Sequence, residues 1–76
     1  LPKGIWIQFA DMETYRASEQ LLFDTIADSD GGDNVVIFLK DSKAVKILPP
    51  NRCVKADEGL IARLGAVFGK ENVKNR

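Results

Sequence analysis

Five consecutive apolar residues, Val35-Val36-Ile37-Phe38-Leu39, stand between polar turn formers on both sides. Such a run, rich in β-branched residues and sharply bounded, predicts a central strand with two apolar faces. Any sheet built around it needs cover on both sides. A chain of 76 residues has few elements with which to provide it.

The neighbouring segments supply the rest of a small sheet. Gly4-Ile5-Trp6-Ile7-Gln8-Phe9 is β-branched and aromatic between turn formers, which predicts a strand with Ile5, Ile7 and Phe9 on one face. Asp41-Ser42-Lys43 makes a short loop, and Ala44-Val45-Lys46-Ile47-Leu48 returns as a hairpin partner until Pro49-Pro50 ends it. Cys53-Val54-Lys55 suits a short edge segment, and Glu71-Asn72-Val73-Lys74 a last strand.

Two helical stripes accompany these strands. Asp11 caps the first helix, which carries Glu13 in its first turn and runs to about Asp28. Met12, Tyr15, Leu22 and Ile26 form its apolar stripe, widened by Leu21, and the glycines and acids of Asp28 to Asp33 stop it. Asp57 caps the second helix, whose core-facing residues are Leu60, Ile61, Leu64, Val67 and Phe68 and whose stop is Gly69. The expected fold is a single α+β domain over residues 1–76: a small, mainly antiparallel sheet with two helices on one face, in the order β-α-β-β-(β)-α-β.

Composition narrows the chemistry. Apolar residues make up 45% and charged residues 29%, as in folded soluble domains rather than disordered chains. No apolar run approaches the roughly 20 residues that span a bilayer, so no membrane role is expected. One cysteine, Cys53, and no histidine point to a reducing, cytoplasmic setting without disulfides or zinc. A start at Leu1 without methionine suits a fragment of a longer chain. The zero net charge conceals an acidic first part, with seven acids against two bases up to Asp33, and a basic remainder, with nine bases against four acids. That separation suits orientation of a partner.

No reactive constellation emerges, and the expectation is a domain with no catalytic residue, metal or cofactor. Asp24 and Asp28 lie on a polar helix face, and neither Cys53 nor any serine has a histidine base; Cys53 is expected as a small core residue. Gly65 to Glu71 superficially resembles a phosphate loop, but it is one residue short, lacks the magnesium-binding hydroxyl and closes a helix instead of opening one. Gln20-Leu21-Leu22-Phe23 resembles a clamp-docking peptide yet falls inside a predicted helix.

Binding is a different matter. With Val35, Ile37 and Leu39 under the helices, Val36 and Phe38 face away, and a protein partner is the expected cover. Trp6, Val36 and Phe38 are therefore the candidate partner-binding residues. Lys40, Lys43 and Lys46 are candidate nucleic-acid contacts beside Trp6 and Phe38, as in sheet-based single-strand binders. A ferredoxin-like small-ligand sensor is a third reading of the element order. Its acyl-phosphatase version fails for want of an arginine loop at Ala10-Asp11-Met12.

Ile5-Trp6-Ile7, the helical Leu21-Leu22, Gly32 to Ile37, Val54 to Leu64 and Gly69 to Val73 together resemble the C-terminal domain of the bacterial DNA polymerase III alpha subunit, DnaE type. The likeness covers nearly the whole chain, and its most specific part is Val54 to Val73. The resemblance implies a non-catalytic docking platform that follows an oligonucleotide-binding barrel at the end of a long DNA-directed DNA polymerase. Its implied partners are replisome proteins such as the clamp-loader tau subunit or the sliding clamp, with DNA reached through the parent chain.

Overall fold

The computed structural model describes residues 2–76. Its strands are β1 (Gly4–Phe9), β2 (Asn34–Leu39), β3 (Ala44–Ile47) and β4 (Val73–Asn75), and its helices α1 (Met12–Ile26) and α2 (Glu58–Phe68). They form one sheet in the order β3-β2-β1-β4 with both helices against one face, which is the α+β layering expected from the sequence.

The central pair is parallel: β1 runs beside β2 from Gly4 opposite Asn34 to Phe9 opposite Leu39. The outer pairs, β2 with β3 and β1 with β4, are antiparallel. Because β1 and β2 are adjacent and joined through α1, this β-α-β unit is not split by an intervening strand. The ferredoxin-like arrangement requires such a split, so that architecture is not the one adopted.

Alternation on the strands decides the core. Ile5, Ile7 and Phe9, with Val35, Ile37, Leu39 and Val73, face the helices and meet Tyr15, Leu22, Ile26, Leu60 and Leu64. Phe9 locks both helices to β1, with its ring edge-on to Tyr15 at 5.3 Å and to Phe68 at 5.5 Å. The Cα radius of gyration, 11.1 Å, is close to the ~11 Å of a compact chain of this length.

The caps are those expected. The Thr14 N–H donates to Asp11 Oδ1 at 2.8 Å and the Leu60 N–H to Asp57 Oδ1 at 2.9 Å. The Thr14 bond holds the Asp11 carboxyl below its ordinary pKa. Gly69 closes α2 with φ +95°, and its N–H donates to the Gly65 carbonyl at 2.9 Å. Asp57→Ala is expected to cost about 1 kcal/mol, read as a lower urea midpoint.

Several expectations need correction. Leu21 is exposed, because at 3.6 residues per turn it lies about 120° round α1 from Tyr15. Met12, in the first turn of α1, is also exposed. Val67 is 42% exposed, and it lines open grooves with Thr14 and Ser18 on one side and with Thr25 and Ala27 on the other. The edge segment at Cys53 to Lys55 shrinks to one bridge between Val54 and Asp33, and Cys53 is half-buried rather than in the core. Lys70–Asn72 forms a 3-10 turn, so β4 begins only at Val73. Pro50–Arg52 forms another such turn, not anticipated, after the prolines.

Tyr15 carries a pH signature. Its phenol is buried and donates to Glu19 Oε2 at 2.7 Å. Burial first, and then Glu19, push its pKa well above the ordinary tyrosine range. The fold therefore favours the protonated phenol. That stabilisation is complete below the unfolded pKa of about 10 and is lost as pH rises above it. Tyr15→Phe is expected to flatten the alkaline fall in urea midpoint relative to the parent chain, and parallel falls in the two proteins would contradict this.

Candidate functional site

The sheet face turned away from the helices is built from alternate residues of all four strands. Register places Trp6 and Gln8 of β1, Val36 and Phe38 of β2, and Val45 and Ile47 of β3 on it, with Lys74 opposite Trp6 on β4. Among the described residues no helix crosses this side.

The face partly covers itself. Val36 lies between Trp6 and Ile47 in the register and has no exposed surface, so it forms the floor and touches nothing outside. Trp6 is 8% exposed, held by its indole N–H donating to the Pro2 carbonyl at 3.0 Å. The Arg76 guanidinium lies 5.1 Å over the Trp6 ring, and the Phe38 ring is 6.4 Å away, tilted by 45°. Phe38 is half-buried. The large apolar surface left open belongs instead to the edge strand, with Val45 44% and Ile47 49% exposed.

Between hairpin and β4 runs a groove of about 340 Å³, floored by Trp6, Phe38 and Val45 and flanked by Lys43, Lys74 and Arg76 against one acid, Glu71. The Gln8 carboxamide spans its wall, donating to Asn72 Oδ1 at 3.0 Å. An apolar floor with a cationic rim favours a partner that is both apolar and anionic.

The three lysines singled out from the sequence do not converge. Lys43, at φ +59° in the hairpin loop, lines the groove. Lys46 points to the helix side, its Nζ 5.4 Å from the Tyr15 ring centroid. Lys40 lies at the far end of β2 beside Thr14, Ser18 and Phe68. Lys74 and Arg76 take their place, and sequence reasoning missed both. Their sole signal was alternation from Val73, which becomes informative only when β4 is known to pair with β1.

The remaining features carry no site. Asp28 pairs with Arg63 across the surface at 3.4 Å, the Cys53 thiol faces Asn34 Oδ1 at 3.7 Å, and Phe23 of the Gln20 to Phe23 stretch packs under Arg52 at 3.9 Å. Among the described residues no cluster of histidine, cysteine and carboxylates is placed to hold a metal ion. No helix among them is long and apolar enough to cross a membrane. Comparison with protein-family models, curated proteins and solved structures returned no match.

Proposed function

We propose that the chain is a non-catalytic C-terminal domain of a bacterial replicative DNA polymerase alpha subunit, docking replisome proteins in the cytoplasm during DNA replication. The observation that carries the docking part is the helix-free sheet face, with Val45 and Ile47 exposed and Lys43, Lys74 and Arg76 around its groove. The resemblance of Val54 to Val73 supports the parent chain, a DNA-directed DNA polymerase whose nucleotidyl transfer takes place elsewhere. The test is retention of purified clamp-loader tau subunit or sliding clamp on the immobilised chain. At least one is expected to bind through an interface of roughly 1,600 Å², and Ile47→Glu, at an exposed position, is expected to abolish binding without unfolding the domain. Retention of no replisome component sinks the proposal.

One observation favours a second reading, an unpaired nucleic-acid strand on the same face. Arg76 over Trp6, with Phe38 beside them and Lys43 and Lys74 at the rim, combines stacking surface with cations. If three cations each neutralise a phosphate, oligothymidylate affinity falls with a log–log salt slope of about −2, followed through Trp6 fluorescence. A flat salt dependence removes this reading.

A further inference from the structure

We infer that the outer edge of β3 receives an extended anionic peptide as an added strand; the inference deepens the docking proposal and rests on it for the partner being a protein. Among the described residues β3 ends the sheet, with β2 on one side and no strand on the other. The Leu48 N–H donates to the Val35 carbonyl at 3.0 Å, which fixes the parity of the hairpin. In an antiparallel ladder alternate residues exchange both backbone bonds with the neighbour, so Lys46 opposite Ile37 and Ala44 opposite Leu39 are bonded pairs. Val45 and Ile47 then direct their N–H and C=O groups outward. The same two residues expose their side chains on the open face. Backbone groups for strand addition and apolar surface for an added strand's side chains thus occur at one place.

Charge selects the occupant. A second copy using all four free groups in two-fold antiparallel pairing sets Val45 against Ile47 and therefore Lys46 directly against Lys46, and like charges opposite one another repel. An added strand with an acid opposite Lys46, apolar residues on either side of it and a further acid near Lys43 satisfies backbone, apolar and ionic demands together. The recognised chemistry is an extended apolar-acidic-apolar segment.

The probe is a blocked eight-residue peptide alternating isoleucine and glutamate, titrated into the isotope-labelled chain. The Val45 and Ile47 amides are expected to shift and to exchange more slowly with solvent, with about tenfold weaker binding when lysine replaces glutamate. Val45→Pro removes an outward N–H that the hairpin does not use; with its urea midpoint checked, it is expected to abolish binding. The Lys43→Glu, Lys46→Glu double variant is expected to reverse the charge preference. The inference is overturned by unchanged β3 amides, by equal affinity for the two peptides, by concentration-dependent dimers that occupy the edge, or by oligothymidylate shifting these amides while the peptide does not. Tau or clamp retention that survives Val45→Pro overturns strand addition alone. Peptide binding at β3 without any replisome partner overturns the replisome assignment alone.

Discussion

Replacing Gly4 by alanine is expected to lower stability by about 3 kcal/mol, combining an unfavourable backbone conformation with overpacking. Gly4 has φ +143°, a value L side chains rarely adopt, and a Cβ there would drive into the carbonyl of Asn34. The residue is held from two sides. Its N–H donates to the Arg76 carbonyl at 3.0 Å and its carbonyl accepts from the Arg76 N–H at 2.9 Å, while Asn34 faces it in the β1–β2 register. Moving β1 to make room therefore disturbs β2 and β4 together. Urea denaturation followed by Trp6 fluorescence measures this, and an unchanged midpoint would contradict the described start of β1.

Leu64→Ala is expected to cost about 3 kcal/mol, as buried leucine truncations do when the cavity collapses only partly. Leu64 has no exposed surface and belongs to the cluster joining α2 to both central strands. Whole-domain stability is only about 5–15 kcal/mol, and short chains sit toward the lower end. A large unfolded fraction at moderate temperature should follow. Val67→Ala on the same helix removes a side chain from the open grooves and should cost well under half as much. Equal losses at the two positions would mean that α2 is rotated from the orientation described.

The features legible in the sequence are those decided locally. Asp11 and Asp57 cap, Gly69 stops, and the alternation of Ile5, Ile7 and Phe9 names one face, all within a few residues of chain. What was not legible depends on distant partners. That β1 lies beside β2 in parallel follows from how α1 packs back across the sheet, not from either strand's composition. Leu21 and Val67 are as apolar as their buried neighbours, and only the placement of the helices exposes them. The candidate site shows the same division: Trp6 and Phe38 follow from strand parity, while the cations beside them, Lys74 in the three-residue β4 and Arg76 just after it, depend on a register that no local signal sets.

We propose that a replisome protein docks on the sheet face away from the helices. The most direct test is a methyl and indole NMR footprint of the labelled chain bound to purified clamp-loader tau subunit or sliding clamp. The Val45 and Ile47 methyls and the Trp6 indole should move with one of them, while Met12, Leu21 and Val67 on the helix side stay still. Movement confined to the helix side, or none with either protein, would contradict the account.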